Sequence, residues 1–363
     1  MIRQTSCIIA RTSDPCRNLA IEKHLMDTLP EQTAILFLYR SDSAVTIGRN
    51  QNPWYECNVE PFLESGGIIT RRLTGGGAFY QDAGTLNFSV ILPKTELHAP
   101  RQLAMAASAV SSLGLAVQPG PGASLVADGR IFCSNAFYKA GSTALHNGSL
   151  LISPDMEKMA GALLPGGKRY RGQERPAVES LYTALCDQLP TITLDMMEEA
   201  LYRAFSQQYR CQPVWLDEQM LSGNNLESTA ERFLSPEWVY PEALPYNFVV
   251  DERFPWGSIT VMLQQENGII RASRIFSDAM EAALFDMLCQ ALTGSPYLIG
   301  AISTRLRQRL EMLALVLMPM ATLGLTNNEW TGAAGPRADG LFSWNAAGNW
   351  KLGVPDATHN VIF

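Results

Sequence analysis

Hydrophobic positions along this chain repeat with two periods, one helical and one of strand type. Leu19, Ala20, Ile21 and Leu25 recur at helical spacing, and Asp14-Pro15 ahead of them supplies an N-cap followed by proline at the first helical position. The spacing predicts a helix to about Leu29. Ala34–Tyr39 is an unbroken apolar run of strand length, and Ala44–Ile47 is a second. The pattern then turns polar in Gly48-Arg-Asn-Gln-Asn-Pro-Trp54, at a strand end where α/β proteins often place ligand loops. A short helix over Val59–Glu64 leads through Gly66-Gly67 into a strand that begins at Ile68 and closes with Arg71-Arg72. Gly75, Gly76 and Gly77 interrupt the pattern, which resumes from Leu86 to Ile91.

Further on, Leu103, Ala107, Val110 and Leu113 give a helical face within 100–115. Asp128-Gly129 is the strongest short-range hairpin signal, joining strand residues on either side within 125–132. Strands follow over 135–138 and 148–152, with helices over 154–164 and 194–209. Residues 216–245, rich in Asp, Ser, Asn, Pro and Trp, read as an interdomain linker. Beyond it, strands at 257–263 and 268–276 and a helix over 280–292 predict a small α+β domain. The expected organisation is a catalytic-type domain over 1–245, an accessory domain over 246–312, and a tail, 313–363, with no assigned fold.

Composition narrows the class. With 363 residues, 47% hydrophobic and 17% charged, the chain has enough material for two domains with a sizeable core. A net charge of −7 argues against a dedicated nucleic-acid binder, while leaving room for a local basic pocket. The seven cysteines are scattered without a Cys-x-x-Cys pair, and none of the four histidines stands at metal-ligand spacing from another. Reduced thiols in a cytoplasmic protein without a metal site are expected. No secretory signal is evident at Met1–Ser6, and the longest apolar run, Leu313–Leu325, contains Pro319 and Gly324 and is too short for a membrane span.

The candidate chemistry gathers in residues 71–89. Glycine carries no Cβ to hold a ligand away from the main chain, so Gly75–Gly77 offer bare N–H groups that suit a phosphate or carboxylate. An adjacent arginine adds a fixed cationic fork. Taken alone, the same glycines also fit an ordinary hairpin turn.

The surrounding motifs, in order, resemble the lipoate–protein ligase family in its large-plus-small-domain form. They are Asp14-Pro15 with Asn18-Leu-Ala-Ile-Glu22, then Ile47–Trp54 with Glu56-Cys57-Asn58, then Arg71-Arg72 with Gly75–Gly77 and Asp82. Asp128-Gly129-Arg130 with Ala136 follows, then His146 with Gly148 and Leu150-Leu151. Asp251–Phe254, Trp256-Gly257 and Ile275–Asp278 match in the second domain. The resemblance implies an α+β fold: a biotin-protein-ligase-like mixed sheet flanked by helices, with a small α+β domain behind it. It implies ATP-dependent, Mg2+-assisted activation of lipoate to lipoyl-adenylate and transfer to a lysine of a lipoyl carrier domain. Such carriers belong to 2-oxoacid dehydrogenases or to the glycine cleavage H protein. It implies that Arg72 contacts the adenylate, that Gly77, Ala78, Phe79 and Tyr80 cradle it, and that Gly75 and Gly76 bed the lipoyl chain. Ile47, Asn87, Phe88 and His146 are the expected pocket residues, and no nucleic acid or membrane partner is implied.

The chain also departs from the pattern. The lysine that follows the Asp-Gly-Arg hairpin in the family is Ile131 here. The Gly-Arg-Asn-Asp stretch ahead of it falls on Pro121-Gly122-Ala123-Ser124, the Ser-Gly after it on Cys133-Ser134, and the histidine of the His-Asp pair on Gln81. Isoleucine neither donates a hydrogen bond nor carries charge, so its cost falls on catalysis, on the order of 10²–10³ in rate. Lys139 and Lys168 are the candidate substitutes, and Cys133 the candidate thioester nucleophile, although an inert buried thiol fits its neighbours better. Three readings follow: a ligase of weak activity, a non-catalytic relative that binds lipoate or a lipoyl domain, or an acyltransferase using a pre-activated donor.

Overall fold

The computed structural model describes residues 2–164, 177–221, 225–240, 246–254, 256–317, 326–329 and 359–362. Two compact units result: Met1–Leu244 with Phe276–Phe285, and Pro245–Ile275 with Asp286–Phe363.

The first unit begins with β1 (Gln4–Ile9), α1 (Pro15–Asp27), β2 (Thr33–Tyr39) and β3 (Ala44–Ile47). Two short helices, α2 (Pro53–Glu56) and α3 (Val59–Glu64), lead to β4 (Ile68–Arg71), β5 (Phe79–Gln81) and β6 (Thr85–Pro93). Next come α4 (Ala99–Ser111), β7 (Gln118–Pro119), β8 (Leu125–Ala127), β9 (Arg130–Ala140) and β10 (Thr143–Leu151). The run closes with α5 (Met156–Ala162), α6 (Val178–Leu181), α7 (Leu194–Tyr209), β11 (Val214–Trp215), α8 (Leu226–Leu234) and α9 (Pro236–Val239). The main sheet has the order β11-β1-β2-β6-β10-β9-β8-β7, and it is mixed: β1 pairs parallel with β2, whereas β6 pairs antiparallel with β2 and β10. A smaller sheet, β4-β3-β5, carries the two arginines and the glycines between its strands.

The N-cap expected of Asp14 is present, its carboxylate accepting from the N–H groups of Cys16 and Arg17. Helices α4 and α7 cover one face of the main sheet, where Met105, Val110, Leu201 and Phe205 pack on Leu36, Phe88 and Val90. On the other face α1 places Leu19, Ile21 and Leu25 against Ile35, Phe37, Ile91 and Leu145. The hairpin at Asp128-Gly129 forms as expected, with φ of 49° and 75°, the left-handed pair that a two-residue turn of this kind demands.

The segment read as a linker proves otherwise. Residues 226–239 form α8 and α9, and Leu226 and Phe233 join the core beside α1. The Thr70 hydroxyl donates to the Phe233 carbonyl at 2.9 Å, and Trp238 Nε1 donates to the Arg71 carbonyl at 2.7 Å. Its polar composition reflects one exposed helical face, and two anchoring apolar residues were too few to show a period.

The second unit contains a three-stranded sheet of β12 (Phe248–Phe254), β13 (Gly257–Glu266) and β14 (Ile269–Ser277). Helices α10 (Ala282–Leu292) and α11 (Ile299–Leu317) follow, and a parallel pair, β15 (Thr326–Glu329) with β16 (His359–Ile362), is described in the tail. The first residues of α10 and the turn before it count with the first unit, so the boundary does not follow chain order.

Candidate functional site

Polar residues on one face of three central strands mark the site. Along β6 the even positions Leu86, Phe88, Val90 and Leu92 enter the core under α4 and α7, while Asn87 and Ser89 point to the opposite face. Register places Tyr39, Asn87, Ser149 and Ser134 side by side across β2, β6, β10 and β9, with Phe37, Ser89, Asn147 and Ala136 in the next row. Above this face lies a cavity of about 120 Å3 lined by Tyr39, Arg72, Gly77, Ile131, Asn147 and Met280, among others. Its volume is comparable to an engineered cavity of roughly 150 Å3 that admits benzene, so it holds the end of an acyl group and not a nucleotide.

The paired arginines hold the two loops at its rim. Arg71 donates through Nη1 to the carbonyls of Gly48 (3.1 Å), Arg49 (2.8 Å) and Gln51 (2.8 Å), and through Nε and Nη2 to Trp238 and Val239 in α9. Arg72 donates from Nε to Thr74 Oγ1 at 2.8 Å and from Nη1 to the Thr46 carbonyl at 3.0 Å. Both Nη2 protons go to the glycine loop, to the carbonyls of Gly75 (2.6 Å) and Gly77 (2.8 Å). Of five guanidinium N–H groups, one on Nη1 is left over. Burial lowers the Arg72 pKa to about 10, opposed by the charges of Tyr39 and Glu22, and the group stays cationic at neutral pH.

The three glycines differ in what they do. A Cβ on Gly75 would lie 2.4 Å from the Met280 carbonyl oxygen, and the Gly76 N–H donates to the Ala279 carbonyl at 3.0 Å. Gly75 and Gly76 are therefore covered by main chain from 279–280 and do not form a bare bed. Gly77 meets nothing within 4 Å and lines the cavity with Ala78 and Phe79. Tyr80, expected in the cradle, is fully buried in the small-sheet core with Ile47.

Two of the other expected pocket residues lie on the wrong side. Phe88 belongs to the core under α4 and α7, and His146 is stacked on Phe137 with centroids 4.7 Å apart. Burial drives the His146 pKa down to about 3, and its Nε2 pairs with Asn135 Oδ1 at 3.0 Å. Both are structural because alternation along the strands turns them away from the cavity. Asn87 faces the right way but acts from behind, accepting from the Ser149 hydroxyl at 2.6 Å and donating to Gln81 Oε1 at 3.4 Å.

Ile131 does line the cavity, and Thr183 N–H donates to its carbonyl at 3.0 Å, which brings Tyr182 alongside. Lys139 stands eight residues along the same strand, roughly 26 Å away at about 3.3 Å per residue, beyond the reach of a lysine side chain. Lys168 lies outside the described residues. Cys133 is fully buried and its pKa is pushed up to about 12, so it is no thiolate nucleophile.

Sequence reading passed over Glu22 as a site residue. Its carboxyl is fully buried on α1, accepts from the Ser89 hydroxyl, and has an Oε1 without a partner. Burial raises its pKa to about 7, against the pull of Ser89, Asn147 and the Arg72 charge. The signal available for this group was the polar alternation of β6 and β10, which marks a face that is buried yet not apolar. Among the described residues no group of three His, Cys, Asp or Glu side chains is placed to hold a metal. Nor does a carboxylate line the cavity, so its walls do not fit Mg2+.

A helix-flanked mixed sheet with a glycine loop over a small half-polar cavity defines a protein that receives an acyl group. The family model of the lipoyl protein ligase A/B catalytic domain matches residues 14–206, and that of the bacterial lipoate protein ligase C-terminus matches residues 243–312. The chain belongs to the lipoyl protein ligase A/B family. Among solved structures it is similar to LipL1 of P. falciparum, crystallised in complex with lipoate, at 20% identity with a TM-score of 0.74, covering 86% of this chain and 99% of that one. It is also similar to a lipoate-protein ligase A bound with ATP, at 22% identity and TM-score 0.55, covering 66% of this chain and 98% of that one. The bipartite ligase of Thermoplasma acidophilum, described together with its E2 lipoyl domain, matches at 21% and TM-score 0.57, covering 65% of this chain and 96% of that one. These likenesses establish the fold, including its sheet order. Among the described residues no helix is long and apolar enough to cross a membrane.

Proposed function

We propose that this protein is a lipoate–protein ligase in which the acyl-binding half of the site is kept and ATP-dependent activation is weak. The observation that carries this reading is Ile131 in the cavity wall, on the hairpin where the family resemblance places a lysine. A group that steadies the charge developing on an acyl phosphate must donate or carry charge at that point, and Ile131 does neither. Lys139 is too distant and Cys133 too deeply buried to take over. Gly77, Ala78 and Phe79 stand open to the cavity and support retention of the acyl slot. The lipoate bound by LipL1 and the ATP bound by ligase A are the ligands this family membership suggests. The lipoyl domain partnering the archaeal ligase suggests a lipoyl carrier domain as acceptor. No step is derived through Mg2+, since the described lining offers it no carboxylate.

The test is pyrophosphate release with lipoate, ATP and magnesium, comparing the native chain with Ile131→Lys. The variant is expected to gain at least tenfold. Native turnover at ordinary enzyme rates, about 1 s⁻¹ or more, overturns the reading. A second reading, a binding protein without turnover, is favoured by the Arg72 guanidinium, which spends four of its five N–H groups on its own loops. Tight lipoyl-adenylate binding without pyrophosphate release from either chain selects it.

A further inference from the structure

The charges around the cavity bear on the chemical form of the ligand as well as its chain. Arg72 is the one charged side chain in the described lining. A carboxylate is gripped best by two parallel N–H groups of such a fork. Here both Nη2 protons serve Gly75 and Gly77, Nε serves Thr74, and a single Nη1 proton is spare. Glu22 lies fully buried behind the floor with Oε1 unpartnered, so an anion in the cavity would meet a second acid close by. The remaining polar lining is neutral. Ser124 is 4% exposed and its hydroxyl has no partner, Ser134 stands on the neighbouring strand, and Ile131 adds an apolar wall.

From these placements we infer that the cavity selects the lipoyl group in neutral, amide-linked form over free lipoate. One spare N–H matches one carbonyl oxygen, and the unpartnered Ser124 hydroxyl can accept from an amide N–H. A desolvated carboxylate would find neither its second donor nor a counter-charge, and burying an unpaired charge costs far more than burying a neutral carbonyl. The amide can come from a small molecule or from a lipoyl-lysine on a carrier domain. The inference rests on the reading of this cavity as a lipoyl site.

Isothermal titration of the full chain with lipoate, lipoamide and a lipoyl-lysine peptide at pH 7.5 tests it. Lipoamide is expected to bind at least tenfold more tightly than lipoate. Binding by the peptide at the same strength assigns the amide to a carrier, and binding by lipoamide alone assigns it to a small molecule; either supports the inference. Ser124→Ala should cost lipoamide about fivefold, the worth of one hydrogen bond, and leave lipoate unchanged. Ile131→Lys should reverse the order of the two ligands. Lipoate binding as tightly as lipoamide to the native chain overturns the inference and leaves the lipoyl site standing. Failure of all three ligands overturns both.

Discussion

Glu22 and His146 are fully buried on opposite sides of the main sheet, and burial moves their proton equilibria in opposite senses. The Glu22 carboxyl rises from 4.5 to about 7, so the folded chain holds its proton more tightly than the unfolded one. That contribution is present at low pH and is lost as pH climbs from about 4.5 through 7, by at most roughly 3 kcal/mol. His146 falls from 6.5 to about 3, so its contribution is complete above 6.5 and is lost as pH drops toward 3. Between pH 4.5 and 6.5 the two slopes oppose each other. Urea denaturation of the native chain should therefore change little across this window. Glu22→Gln should expose a steady loss toward acid, and His146→Gln a loss toward neutral pH. Arg72 makes a separate prediction. Lysine offers a point charge without the planar fork, and Arg72→Lys leaves buried carbonyls of the glycine loop unserved. The same denaturation experiment should show a cost of about 2–4 kcal/mol.

At the scale of elements, the glycine loop divides into a packed part and an open part. Gly48 and Gly76 touch so closely that a Cβ on Gly48 would sit 2.0 Å from the Gly76 oxygen, and Gly75 is pressed against main chain at 279–280. Gly75→Ala must move backbone and should lower the melting temperature by several degrees. Gly77→Ala meets open space and should leave stability within about 0.5 kcal/mol, while weakening ligand binding measured by titration. The run of three glycines was legible as a functional loop, but not its division, because the covering segment comes from some two hundred residues further along the chain. The hairpin at Asp128-Gly129 was fully legible, since its left-handed angles are a property of those two residues. Helices α8 and α9 were not, because two buried anchors in a polar stretch carry no readable period.

For the whole molecule, Phe276–Phe285 counts with the first unit although β12 to β14 precede it. Ser277 N–H donates to the Asn50 carbonyl at 2.9 Å, and Ala279 accepts from Gly76. A chain ending at Leu244 should consequently melt lower than the full chain, and hydrogen exchange at the Gly76 amide should quicken at least tenfold. By itself the sequence determined the alternation of elements, the caps and turns, the family and the position where a lysine is missing, because each depends on residues near in the chain or on an ordered set of motifs. Only the tertiary structure decided which polar residues share a cavity, that Arg72 is spent on its own loops, that His146 and Phe88 face away, and that Glu22 lies beneath the floor. Those facts depend on strand register and on which face each side chain takes, and a shift of one residue along a strand exchanges the two faces. The paired arginines and three glycines thus read the same in both descriptions, while their division of labour belongs to the fold.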